Sequence, residues 1–95
     1  MTKENIARIS ESANIDKILS LKEAVIQFED SMFREKEGAL YDSIIDAIEK
    51  PLIECVLERT WGNQLRAAKI LGINRNTMRS KTRRLGIDPK RWKTG

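Results

Sequence analysis

Asn63, Gly72, Asn74 and Gly86 punctuate one stretch of the sequence so closely that only two short helices fit between them. An asparagine side chain caps a helix N-terminus by accepting one of its orphan N–H groups, and glycine takes the left-handed position that ends a helix without steric cost. The order asparagine, glycine, asparagine, glycine therefore predicts a helix after Asn63 that stops at Gly72, and another after Asn74 that stops at Gly86. Only Ile73 separates the first stop from the second cap. Two helices of roughly two to three turns across so tight a corner have helix-turn-helix spacing.

Side chains within this unit divide by face. Ala68 lies four residues ahead of Gly72, where two helix backbones cross and only a small side chain fits. Ile73 and Met78 fill the corner, and Leu71 and Leu85 close a small core. In the second helix Met78, Thr82 and Leu85 fall at steps of 4 and 3, with the Thr82 hydroxyl expected to bond back to the carbonyl of Met78. Arg75, Asn76, Arg79, Ser80 and Arg83 then point outward. Arginine presents a fork of donors that matches a guanine edge, and the first turn of a recognition helix enters the major groove. Arg75 is accordingly the first candidate for a base contact and Arg79 the second. Asn74 and Thr77 on the second helix, with Asn63 and Arg66 on the first, are placed for phosphates, because free N–H groups and the helix dipole favour an anion there. An Ala/Gly pair in a helical hairpin is by itself more often packing than DNA binding, so the charge decides.

Residues 61–95 carry 10 Lys/Arg against the single acid Asp88, a net of +9, while residues 1–60 carry 8 Lys/Arg and 13 Asp/Glu, a net of −5; together these give the chain's +4. Such a basic end is the electrostatic footprint of a polyanion partner, double-stranded DNA ahead of anionic lipid. A merely solvated tail would carry no capping signals. At 95 residues the chain is about one domain, and 34% charged with 40% hydrophobic, five Gly and two Pro fits neither a disordered tail nor a β-sandwich. The longest aliphatic run, Ala24-Val25-Ile26, is too short to cross a membrane, and without a signal pattern the expected address is cytoplasmic. With no His and a lone Cys55 there is no internal disulfide, no zinc-ligand set and a shortage of general bases. No catalytic residue, metal, cofactor or small-molecule substrate is expected, and the chain does not read as an enzyme.

Upstream, Ser20 and Glu23 have capping-box spacing, and Leu21, Val25, Phe28 and Met32 follow at steps of 4, 3 and 4 with Ile26 and Phe33 beside them. This predicts a helix from Ser20 that ends near Gly38. A longer helix is expected from about Ala39 to Thr60, with Tyr41, Ile44, Ile45, Ile48, Leu52, Ile53, Val56 and Leu57 on its apolar face and a kink at Pro51. Two helices joined by a short loop cannot bury stripes this wide, whereas two copies paired as a four-helix bundle can. The expected fold is all-α: a homodimeric four-helix core from two long helices per chain, the second kinked at Pro51, plus a C-terminal helix-turn-helix. Val25, Phe28, Ile44, Ile45, Ile48 and Leu52 are the expected dimer interface. The alternative is that the stripes cover a core made with the C-terminal helices of the same chain.

The residues Leu40-Tyr41, Glu49 with Pro51-Leu52, Thr60 with Gly62-Asn63-Gln64, Arg66-Ala67-Ala68, Leu71-Gly72-Ile73-Asn74-Arg75 and Asn76-Thr77 carry a resemblance, most specific over 62–77. Through them the stretch from Leu40 to Ile87 resembles the Fis family (factor for inversion stimulation) and the related C-terminal domain of nitrogen-regulation response regulators. The resemblance implies a bacterial, nucleoid-associated homodimer whose recognition helices enter successive major grooves of bent DNA. Its contact positions match Asn63, Arg66, Asn74, Arg75, Thr77, Arg79 and Lys81, and Gln64 lies within the same block. Leu65 stands where Fis proper has a small hydroxyl residue, and Ser80 where it has a basic one, with Arg83 and Arg84 available to compensate. Residues 21–28 are also similar to the linker helix ahead of this domain in the response regulators. The mobile β-hairpin arm of Fis needs two alternating strands and a tight turn, and residues 1–20 offer neither.

The expected organisation is a segment 1–19 that is mobile or briefly helical after Asn14, dimerisation helices 20–61, a helix-turn-helix 62–88 and a basic tail 89–95. Trp61 is expected to cover the junction ahead of the helix-turn-helix rather than stack on a base, and Trp92 to fold back onto apolar surface or else follow the duplex backbone with its basic neighbours. Cys55 is expected to be a small buried residue near the dimer core, a redox sensor being the alternative that lacks local positive charge. The function these features point to is a sequence-preferring, DNA-bending dimer acting in transcription regulation or nucleoid organisation. A protein-interaction module whose basic end docks an acidic partner is the alternative, and an RNA binder is disfavoured because no aromatic platform accompanies the basic residues.

Overall fold

The computed structural model describes residues 12–93. Four α-helices and a 3₁₀ turn follow one another: α1 (Ser12–Met32), α2 (Leu40–Arg59), α3 (Gln64–Leu71), α4 (Arg75–Arg84) and the turn Pro89–Trp92, with no strand among the described residues. The chain divides into two compact units within α2, between Ile44 and Ile45.

Helix α1 starts well ahead of Ser20, so the expected mobile segment 1–19 is helical from Ser12 on. No glycine or proline interrupts residues 12–32, and a serine inside a helix costs only about 0.5 kcal/mol relative to alanine. The Ser20 capping box is therefore overridden by propagation through it. The segment expected to lack a hairpin arm lies partly outside the described residues, and its described part belongs to α1. Ile18, Leu19, Leu21 and Ile26 are 44%, 49%, 56% and 55% exposed, so α1 shows much apolar surface to solvent.

Helix α2 continues through Pro51, which is exposed, as is Ala47, whose carbonyl loses its partner. Its apolar face is shared between two roles. Ile53, Val56 and Leu57 are buried and join Ala67, Ala68, Met78 and Ile87 in one core, with Leu71, Ile73, Leu85 and Trp92 packed around it. Ile48, more than a turn earlier, and Leu52, next to Ile53 but on another side of the helix, stay 37% and 50% exposed. Leu57 and Met78 are the largest fully buried side chains, so the last turns of α2 and helix α4 share one centre.

Each of the last three α-helices ends the same way. Gly62 N–H donates to the carbonyl of Leu57 at 2.8 Å, Ile73 N–H to Ala68 at 3.0 Å and Ile87 N–H to Thr82 at 2.9 Å, each closing the wide loop of a Schellman motif. The left-handed residue ahead of each is Trp61 (φ 55), Gly72 (φ 76) and Gly86 (φ 70). Trp61 thus occupies a position where glycine is the low-cost residue, and it is 66% exposed. It does not cover the junction as expected: a left-handed residue just past the helix end points away from the core its own helix builds. Cys55 is exposed rather than buried in the chain, because its neighbours Val56 and Leu57 take the inward face of α2. Trp92 does fold back onto the core.

Candidate nucleic-acid interface

The two asparagines cap as their spacing demands. Asn63 Oδ1 accepts the N–H of Arg66 at 3.1 Å, and Asn74 Oδ1 accepts the N–H of Thr77 at 2.8 Å. Both are extended, at φ −78 and −80, before the chain turns helical. Capping consumes only the carboxamide oxygen. Each side-chain NH₂ stays available to donate to an outside oxygen, which is what a phosphate contact from a capping residue requires. Both asparagines are exposed.

The core side of α4 is Met78, 0% exposed, and Thr82, 5% exposed. The Thr82 hydroxyl donates to the carbonyl of Arg79 at 2.9 Å and not to that of Met78, because the shorter i−3 reach is the one open to it. It also lies 3.4 Å from Gln64 Oε1, which ties the first residue of α3 to α4. Away from that side, Arg75, Asn76, Arg79, Ser80 and Arg83 are all exposed. At 100° per residue these five occupy one arc of roughly 140°, which is wide enough to meet base edges on one flank and phosphate on the other. A shallow groove lined by Asn74, Asn76, Thr77, Ser80, Lys81 and Arg84 runs along the adjoining side.

Cations of the basic half sort into two sets. Lys81 pairs with Glu49 at 2.5 Å, Arg84 with Asp46 and, at 3.7 Å, with Glu49, and Arg91 with Glu54 at 3.2 Å. These three fasten the helix-turn-helix and the strand of chain after it to the acidic side of α2. Of the 10 Lys/Arg in 61–95, the remaining seven are Arg66, Lys69, Arg75, Arg79, Arg83, Lys90 and Lys93. All seven are exposed, and none makes an ion pair among the described residues. Positive charge not neutralised internally is what a polyanion can use.

The structure thus brings Asn63, Arg66, Asn74, Arg75, Asn76, Thr77, Arg79, Ser80 and Arg83 to the ends and outer face of one hairpin, as the sequence suggests. Lys81 and Gln64 are differently engaged, the first by Glu49 and the second by Thr82. Of the ion-pairing acids, Asp46 and Glu54 were not singled out from sequence, and Glu49 only as part of the resemblance. Their spacing of 3 and 5 along α2 is the available signal, but it identifies a partner only when the basic helix is known to lie alongside. Among the described residues no group of acidic or cysteine side chains is arranged to hold a metal, and no helix is long and apolar enough to cross a membrane.

Residues 44–85 match the family described as bacterial regulatory protein, Fis family. The match begins within α2 and ends one residue past α4, so it covers the core-forming end of the long helix and the whole hairpin. No solved structure matches the chain.

Proposed function

Starting from residues 44–85 as a Fis-family helix-turn-helix domain, whose members are DNA-binding regulators, we propose that the protein is a homodimeric, sequence-preferring DNA-binding protein that bends its site in transcription regulation or nucleoid organisation. The observation that carries the reading is the exposed arc Arg75, Arg79 and Arg83 on α4, without an ion pair among the described residues, next to a side held in the core by Met78 and Thr82. A rigid helix with three free guanidinium groups on one side meets a groove lined by guanine edges and phosphates. Arg75 reads a base near the helix start and Arg79 a neighbouring one, while Asn63, Asn74, Thr77 and Arg66 hold the backbone on either side. Ser80 and Asn76 add hydroxyl and carboxamide contacts between them.

Dimerisation is supported by apolar surface that the single chain leaves uncovered: Ile48 and Leu52 on α2, and Ile18, Leu21 and Ile26 on α1. Val25, Phe28, Ile44 and Ile45 are half-buried and would complete the same interface. Two hairpins related by a two-fold axis read two half-sites about one helical turn, or roughly 34–36 Å, apart, and closer spacing between the hairpins is accommodated by bending the duplex. Circularly permuted DNA fragments carrying one site test this. Mobility that depends on the position of the site supports bending by a dimer; mobility independent of position, with one chain bound per site, refutes it.

A further inference from the structure

The described chain does not stop at the recognition helix. Beyond residue 85, where the family match ends, it turns at Gly86, buries Ile87 to 6% exposure and winds through the 3₁₀ turn Pro89–Trp92. This strap is fastened at several points. Asp88 Oδ1 accepts the N–H of Lys90 at 3.0 Å and starts the turn. Trp92 packs against the core, with the Arg91 guanidinium 4.6 Å from its ring centroid, and Arg91 in turn pairs with Glu54 of α2. Gly62 completes the seat: a Cβ there would lie 2.3 Å from the carbonyl oxygen of Pro89 and 3.2 Å from Cγ of Lys93. The strap therefore runs against the residue that immediately precedes the cap of α3.

Holding these residues costs backbone entropy of about 1–2 kcal/mol each, which a solvated tail would not incur. Four side chains of the strap, Ile87, Asp88, Arg91 and Trp92, are used in fastening it. Its two other charged residues, Lys90 and Lys93, are exposed and without an ion pair among the described residues. Lys93 Cγ rests beside Gly62, the residue ahead of Asn63, so its ammonium, three bonds further out, stays near the start of α3. In helix-turn-helix docking the first helix of the pair crosses the sugar-phosphate backbone. An ammonium is a compact point charge, suited to a phosphate and poorly suited to distinguishing base edges.

We propose that this strap is a second phosphate-binding element, in which Lys90 and Lys93 contact the DNA backbone beside the N-terminal end of α3. The proposal rests on the DNA-binding reading above and extends it to residues outside the family match. Each lysine contributes a contact that is independent of sequence and releases counterions.

The test is the salt dependence of duplex binding by the full chain and by K90A/K93A, each on a matched and a scrambled duplex. The expected result is a slope of log K against log salt that falls by about 0.9 for each lysine in each bound subunit, with both duplexes weakened by the same factor. Circular dichroism of the variant should match the parent, because both side chains are exposed. A slope unchanged by the double substitution overturns the proposal, as does a loss confined to the matched duplex. Failure of the parent chain to bind duplex DNA at all overturns the DNA-binding reading itself, so the two failures are distinct.

Discussion

The ammonium of Lys81 lies 2.5 Å from Glu49 Oε2, joining the recognition helix to the long helix that precedes it. Lys81 follows Ser80 but stands about 100° further round the helix, off the exposed arc, and its charge is paired with α2. The pair is partly shielded, with 28% and 20% of the two side chains exposed, and it acts with Arg84 on Asp46 to set how α4 sits against α2. A basic residue in a DNA-binding helix is therefore not automatically a DNA contact.

Replacing Lys81 by Ala should lower stability by about 0.5–1 kcal/mol, the range for a partly exposed pair, and leave the salt slope of DNA binding within half a unit of the parent. Thermal melts and binding at several salt concentrations check both. A slope reduced by about one unit would make Lys81 a phosphate contact that leaves Glu49 on binding.

Arg75→Ala should cost about 1–3 kcal/mol at the preferred site and flatten the preference for guanine at one position of each half-site. Binding curves on matched and scrambled duplexes separate this from a backbone role. Equal losses on both duplexes would place Arg75 on a phosphate.

Trp61→Gly tests the strain at the end of α2. A non-glycine residue in the left-handed region costs roughly 1–2 kcal/mol, and Trp61 regains little by burial at 66% exposure. The variant should melt at a higher temperature, with a gain of about 1 kcal/mol. A lower melting temperature would mean that the indole makes stabilising contacts, as it would if a second subunit covered it.

The hairpin was the legible part of the chain because its signals are local. Asn63, Asn74 and Gly72 each act within four residues of themselves, and such capping chemistry is readable without knowing the rest of the fold. The start of α1 was misplaced for the converse reason. Ser20 and Glu23 have the right spacing for a cap, but capping also requires Ser20 to leave the helical region, and nothing in 12–19 stops the helix before it. The fates of Lys81, Trp61 and Cys55 depend on which residue lies alongside from elsewhere in the chain. Spacing within α4 says that Lys81 is near the surface; only its position opposite Glu49 says what its charge does.

Ile48→Asp should separate the two halves of α2. The core at Ile53, Val56 and Leu57 lies beyond it and should persist, whereas a carboxylate among the uncovered residues Ile48 and Leu52 should abolish pairing. Sedimentation should find a dimer for the parent and a monomer for the variant, with DNA affinity down at least about tenfold through loss of the second half-site. A parent that sediments as a monomer, or a variant that remains dimeric, contradicts the proposed interface.

The most direct measurement is a salt titration of equilibrium binding between the full chain and duplex DNA, repeated with R75A/R79A/R83A. With seven exposed cations in residues 61–95 that make no ion pair among the described residues, the log–log slope for the parent should be steep, several units negative at about 0.9 per phosphate contact. The triple variant should lose about three units of slope for each bound subunit, together with nearly all discrimination between matched and scrambled sites. A parent slope near zero, or a triple variant that binds and discriminates as the parent does, would contradict the assignment of this arc of α4 as the DNA-reading surface.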